Sequence, residues 1–260
     1  MNEMNQPPQL PPQMQFTPTP PFDEDPADRV PINGVAAAIE SILRQPKRVH
    51  HALRQPGAVR VISSMVFVAV ICALIYGVVV GTFSRGPQLW IAPLKIAGGL
   101  LIASVVCLPS LYIFACLSGS RARLAEMAGL VGGMLLLMTL LLIGFAPVAW
   151  LFSESTNSIG WMGFLHLGFW GIATIFGLRF LGAGFAGTQA RSQAGLHVWA
   201  IIFVLVCLQL TTALRPIIGK ADTMFPGATE KKFFIKHWYD ELGKSGDAWD
   251  SSRSGKTNRD

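Results

Sequence analysis

Residues 127–152 read MAGLVGGMLLLMTLLLIGFAPVAWLF, without one charged side chain. A helix needs about 20 apolar residues to cross a bilayer core, and only a helix or a closed barrel satisfies its backbone there. The stretch therefore predicts a membrane-spanning helix. Similar stretches predict an all-α membrane protein with a five-helix transmembrane bundle over residues 61–219. The five spans are predicted at about 61–82, 91–117, 127–152, 160–181 and 197–218.

Composition supports a membrane protein. Charged residues make up 14% of the 260 residues, where a soluble protein has about 25%. Most of these charges lie before residue 61 or after residue 214. The formal net charge is +6, but the Lys and Arg residues flank apolar stretches. They therefore predict contacts with lipid headgroups, and nucleic acid is not an expected partner.

The segments outside the bundle differ in character. Residues 1–30 are rich in Pro and predict a disordered arm. Residues 31–60 form a basic, amphipathic juxtamembrane segment in which the tetrapeptide Leu-Arg-Gln-Pro occurs at 43–46 and again at 53–56. This segment is either two short helices on the membrane surface or an ordinary linker. Residues 220–260 predict an amphipathic C-terminal helix, with Phe234, Trp238 and Leu242 on one face, and a flexible tail.

The distribution of Lys and Arg predicts the orientation. The predicted loops on one side carry most of these residues, which places the N-terminus in the cytoplasm. Five spans then place the C-terminus in the periplasm, although the Lys residues after the last span favour the cytoplasm. The residues expected to anchor the protein at the two interfaces are Trp90, Lys95, Trp150, Trp161, Arg179 and Arg215.

Glycine and proline residues within the spans suggest how the helices pack. Small residues allow helix backbones to approach closely in lipid. Proline inside a span kinks or locally unwinds the helix, and Pro109 and Pro147 are the predicted kinks. The glycines predicted to form helix contacts are Gly77, Gly81, Gly129, Gly133, Gly168 and Gly171.

The chemistry-bearing residues do not form a catalytic pattern. His166 lies about two turns inside the fourth span and is the one candidate cofactor ligand, as an axial ligand to haem or a pigment. A helix-contact hydrogen bond is the alternative role, and His197 falls in the opposite leaflet. The four cysteines all lie in apolar stretches without metal-binding spacing. We therefore expect no enzyme activity, no metal and no cofactor.

Residues 38–49, AIESILRQPKRV, place a short helix, a Pro and a basic stretch before the first span. This arrangement resembles bacterial members of the Yip-domain family and related five-span membrane proteins of unknown function. Residues 108–112 and 214–219 resemble a narrower bacterial group, sometimes labelled actin-binding WH2 proteins, but residues 45–48 match a WH2 motif poorly. The resemblance implies a five-span topology in the bacterial inner membrane.

These observations predict a non-enzymatic, structural or accessory subunit of a membrane complex. Its expected partners are the bilayer and other membrane subunits, or further copies of itself. One alternative is a transporter or channel for a small solute or a lipid, with a polar cavity near Pro109, Tyr112 and Pro147. Another is a pigment- or haem-binding subunit using His166.

Overall fold

The computed structural model describes residues 30–32, 34–55, 57–84, 88–155 and 159–213, without the side chains of 83, 84, 88, 159, 160 and 211–213. Within these ranges the chain is helical and contains no strand. The predicted arm, the C-terminal helix, the end of the fifth span and Arg215 lie outside the described residues. The helices are α1 Val35–Arg44, α2 Pro46–Arg54, α3 Ala58–Ser84, α4 Gln88–Leu117, α5 Leu124–Ser155, α6 Ile159–Ala186 and α7 Ala194–Ala213.

Four of these helices are long and apolar enough to cross a membrane. They contain the apolar stretches Ala58–Thr82, Leu89–Leu117, Leu124–Ser155 and Trp161–Ala186. The apolar part of α7 that the structure describes, Ala194–Leu210, is shorter. At 1.5 Å per residue these 17 residues span about 25 Å, compared with a hydrocarbon core of about 30 Å. By the length and apolar composition of these helices, the chain is a multi-pass membrane protein.

The long helices lie side by side in the order α6, α5, α3, α4, α7. Helices α5 and α6 are antiparallel. Gly133 of α5 faces Phe180 of α6, whereas Met138, further along α5, faces Gly177, earlier on α6. Helix α7 runs antiparallel to α4, since Gly195 faces Phe114, whereas Trp199, further along α7, donates a hydrogen bond of 2.8 Å from its indole to the carbonyl oxygen of Cys107, earlier on α4. The core between the helices is built from Leu, Met, Ala and aromatic side chains.

Two short connections lie at the same end of the bundle. Helix α4 ends in a Schellman motif, in which Gly119 has φ of +76° and Ser120 N donates to Ala115 O over 3.0 Å. The start of α5 is capped by Glu126 in its first turn, whose carboxylate accepts a hydrogen bond from Arg123 N. The α4–α5 connection meets the α6–α7 connection through Arg191 N, which donates to Ser118 O over 2.8 Å. We call this the basic end, because the nearby cations are Arg44, Lys47, Arg48, Arg54, Arg60, Arg121, Arg123, Arg179 and Arg191.

Candidate functional site

Helices α1 and α2 form a hairpin that covers the basic end of the bundle. Pro46 starts α2 at its first position, where the missing N–H costs no helix hydrogen bond. One side of the hairpin is apolar and packs on α3, α5 and α6. Of the two alternatives for residues 31–60, surface helices would place this apolar side on lipid and a linker would leave it unassigned; in the structure it packs on protein. The side chains buried there are Ala38, Ile42, Val49 and Leu53.

The hairpin fits the bundle through glycines that leave room for its side chains. A Cβ on Gly129 would clash with the Leu53 methyl groups, and a Cβ on Gly133 would lie 3.4 Å from Ile42 Cδ1. On α6, a Cβ on Gly184 would clash with Leu130 Cδ2 of α5 and would lie 2.9 Å from His50 Nε2. These three glycines make room for the hairpin as well as for side chains of the bundle, and we call them the glycine cradle.

Arg54 joins the hairpin to two transmembrane helices. Its Nη2 donates a hydrogen bond of 2.5 Å to the carbonyl oxygen of Gly187, just after α6. Its Nε lies 3.5 Å from Glu126 Oε1 on α5. The side chains of Arg54 and Glu126 are 45% and 18% exposed, so the pair lies at the rim of the interface. Charge-assisted hydrogen bonds of this kind are stronger than neutral ones.

Two polar atoms in the hairpin interface lack a hydrogen-bond partner among the described residues. They are the hydroxyl oxygen of Ser41, a fully buried residue, and His50 Nε2. The His50 ring packs against Phe180, with ring centroids 4.6 Å apart. Burial and then the positive charge of Arg54 lower the pKa of His50 to about 4, against a hydrogen bond with the Phe180 backbone. His50 is therefore neutral at pH 7.

A second polar pair lies inside the bundle. Tyr76 Oη on α3 and His166 Nδ1 on α6 are 2.7 Å apart, and both side chains are buried. His166 Nε2 has no partner among the residues that the structure describes. His166 was predicted as a candidate residue and Tyr76 was not. The sequence signal for the pair is depth, because each residue lies six positions from the end of its predicted span that faces away from the basic end.

The predicted interface residues occupy different environments. Trp90, Trp150 and Trp161 are exposed at the end of the bundle opposite the basic end. Lys95 is only 3% exposed, deeper within the protein than an anchor that reaches the lipid headgroups. Arg179 is exposed on α6.

The predicted packing glycines also separate into groups. Gly77 lies against the backbone of Pro93, a close α3–α4 approach that a Cβ would prevent. Gly81 is buried. Gly168 and Gly171 are exposed on α6, where a Cβ would meet nothing within 4 Å. The last pair therefore leaves the α6 backbone open to an approaching helix.

The prolines predicted as kinks lie within helices that continue past them. Pro109 is inside α4 and Pro147 inside α5. Both residues are exposed on the outside of the bundle, whereas the neighbouring Leu111 is buried. The transport hypothesis needs a polar cavity at these positions, and the surroundings of the two prolines do not favour one.

No group of three or more metal-ligating side chains is found within the described ranges. Cys72, Cys107, Cys116 and Cys207 are free thiols. Each lies on a helix within an apolar stretch, and His166 has a tyrosine as its neighbour. The arrangement offers packing and hydrogen bonding, with the Arg54 contacts as its main charged interaction.

Comparison with known protein families, with curated proteins and with solved structures gives no match. The resemblance to Yip-domain proteins therefore stays a prediction from the residues before the first span.

Proposed function

We propose that this protein is a non-enzymatic subunit of a membrane complex and binds a neighbouring transmembrane helix through α6. The observation that carries the proposal is the open surface at Gly168 and Gly171. The exposed large side chains Phe164, Ile172 and Ile175 lie on the same side of α6. Glycines between larger side chains let a second helix approach closely, and packing of this kind drives helix association in lipid.

The position of α6 supports this role. Helix α6 packs mainly on α5 and contacts α7 only near the short connection between them, where Gly182 faces Leu196. A helix at an edge keeps one side free for a partner, which is another membrane subunit or a second copy of the chain. The interaction needs no catalytic group.

The proposal includes five crossings, with the basic end in the bacterial cytoplasm. The excess of Arg and Lys at that end supports this orientation. A fifth crossing by α7 places residues after 213 on the other side of the membrane. The topology can be tested with single cysteines at Ser192 or Ser251 in a Cys116→Ser background, labelled with an impermeant maleimide in sealed vesicles. Five crossings give labelling from opposite sides, and four crossings give labelling from the same side.

The association can be tested by purification in a mild detergent. We expect the protein to elute as a complex with a stoichiometric membrane partner or as an oligomer. The variant Gly168→Leu/Gly171→Leu should lose this association, because the added side chains keep the neighbouring helix away. Gly144→Leu is a matched control, since Gly144 is also exposed with nothing within 4 Å but lies on α5. A wild-type protein that is only monomeric, or equal effects of the α6 and α5 variants, would refute the proposal.

A further inference from the structure

We propose that the α1–α2 hairpin is a reversible cap, which leaves the glycine cradle and binds the bilayer surface when that surface contains anionic lipid. The released hairpin would remain connected to α3. Its apolar side would exchange contacts with the bundle for contacts with the bilayer. This inference concerns the basic end and does not depend on the α6 surface.

The docked interface contains two unfavourable features. Ser41 is fully buried and its hydroxyl has no partner in the described part of the chain, and the same holds for His50 Nε2. A buried polar atom without a hydrogen bond loses its hydration without compensation. Release of the hairpin moves both atoms to the lipid headgroup region, where water and lipid oxygens can form hydrogen bonds with them, so these atoms favour the released state.

The principal charged contact that holds the hairpin is open to competition. Arg54 binds the Gly187 carbonyl oxygen and Glu126, but 45% of its side chain is exposed. A guanidinium group binds a phosphate through two parallel hydrogen bonds, as it binds a carboxylate. The phosphate of an anionic lipid, which has no choline cation to neutralise it as in phosphatidylcholine, can therefore compete for Arg54 with both of its protein partners.

The hairpin has the composition of a helix that binds anionic membranes. Residues 35–54 carry the cations Arg44, Lys47, Arg48 and Arg54 but only one carboxylate, Glu40. The apolar residues buried in the docked state lie on one side of each helix. Basic, amphipathic helices bind at the lipid interface through apolar burial and attraction to anionic headgroups. The partner chemistry is thus an anionic phospholipid surface.

The connection to α3 contains a residue suited to a hinge. Gly57 has φ of +93°, and a Cβ there would meet nothing within 4 Å. Glycine adopts this conformation and its alternatives with little steric cost. The hairpin can therefore change direction without disturbing α3.

The experiment uses the full-length protein with Leu53→Cys and Gly129→Cys, reconstituted into nanodiscs. These positions are in contact when the hairpin is docked, and Leu53→Cys removes the methyl groups that would clash with a new Cβ. We expect a high disulfide yield in phosphatidylcholine and a yield at least threefold lower when a third of the lipid is phosphatidylglycerol. Inorganic phosphate in phosphatidylcholine nanodiscs, at matched ionic strength, should leave the yield unchanged.

Two further substitutions should move the yield in opposite directions. Ser41→Ala removes an unpartnered hydroxyl and should raise the ratio of docked to released hairpin in phosphatidylglycerol by about fivefold. Arg54→Gln removes the charged contacts and should lower that ratio in phosphatidylcholine. Arg44→Gln is the matched control for Arg54, because Arg44 pairs with Glu40 of its own helix and with no other carboxylate among the described residues, and it should not change the ratio in phosphatidylcholine.

Equal yields in the two bilayers would overturn the proposal, as would a loss of docking in Ser41→Ala. A second pair, His50→Cys with Gly184→Cys, is made in a Leu130→Ala background, because Leu130 Cδ2 would clash with the new Cβ; this pair tests docking if the first pair fails to react for a local reason. If neither pair forms a disulfide in phosphatidylcholine, the docked state itself is refuted. None of these outcomes depends on whether α6 binds a partner.

Discussion

The tetrapeptide Leu-Arg-Gln-Pro occurs twice in the hairpin, and its two copies have different environments. Leu43 in the first copy is 53% exposed, whereas Leu53 in the second is 3% exposed. Arg44 forms a 3.8 Å ion pair with Glu40 on its own helix, and the two side chains are 79% and 65% exposed. Arg54 instead contacts α5 and the residue after α6.

The difference is produced by what lies opposite each copy. Gly129 makes room for Leu53, and the Gly187 carbonyl oxygen accepts the hydrogen bond from Arg54. Within the described part of the chain, no glycine of the bundle faces the first copy, and Arg44 donates no hydrogen bond to a carbonyl group of another helix. The two identical tetrapeptides thus contribute differently to docking of the hairpin, because residues more than 70 positions away face only the second copy.

The largest expected effect distinguishes the two leucines. Leu53→Ala should destabilise the docked hairpin by about 2–5 kcal/mol, because it empties a fully packed site. Leu43→Ala should change the same free energy by less than about 0.5 kcal/mol. Hydrogen exchange of the α1 and α2 amides in nanodiscs measures both effects. Similar exchange in the two variants would show that the second copy has no special role.

Acid should weaken the docking of the hairpin on the bundle through His50 on α2. The pKa of His50 is lowered from 6.5 to about 4 when the hairpin is docked. Docking should therefore be fully stable above pH 6.5, weaken as the pH falls from 6.5 to about 4, and change no further through this group below that range. The expected loss is about 2 kcal/mol after allowance for partial exposure.

Hydrogen exchange as a function of pH, corrected for the intrinsic rate, tests this expectation. His50→Gln should remove most of the pH dependence in that range, whereas His51→Gln is a neighbouring control that should retain it. A pH dependence that persists in His50→Gln would assign the effect to another group.

The smallest effect distinguishes the two ion pairs. Glu126→Gln should weaken docking by about 1 kcal/mol, since it removes the charge that faces Arg54 but can still accept the Arg123 hydrogen bond. Glu40→Gln should cost about 0–0.5 kcal/mol, as expected for an exposed pair within one helix. The Glu126 effect should decrease in high salt. Equal costs would mean that the rim position adds nothing to the contact.

The sequence predicted the long helices well because their apolar stretches are a local property. The span predicted at residues 127–152 lies within helix Leu124–Ser155, which continues past the apolar stretch at both ends. The all-helical, multi-pass character of the chain is likewise confirmed over the described residues. Local sequence does not reveal the partners of each helix side, since these depend on how distant segments meet.

The candidate site shows this limit. Gly129 and Gly133 were predicted to pack transmembrane helices, but they also face Leu53 and Ile42 of the hairpin. The apolar periodicity of the hairpin is the same whether it rests on lipid or on protein, so the sequence left that choice open. The role of Arg54 was also hidden, because its acceptor is a backbone carbonyl 133 residues away.

The contact between Trp199 and Cys107 has a consequence for the biogenesis of the protein. The two residues are 92 positions apart, with α5 and α6 between them. At a synthesis rate of about 5–20 residues per second, Trp199 of α7 is synthesised roughly 5–20 s after the α4 surface that it contacts. During that time the surface is covered by lipid or by the insertion machinery. Packing of α7 on α4 therefore displaces whatever covers that surface of α4 until then.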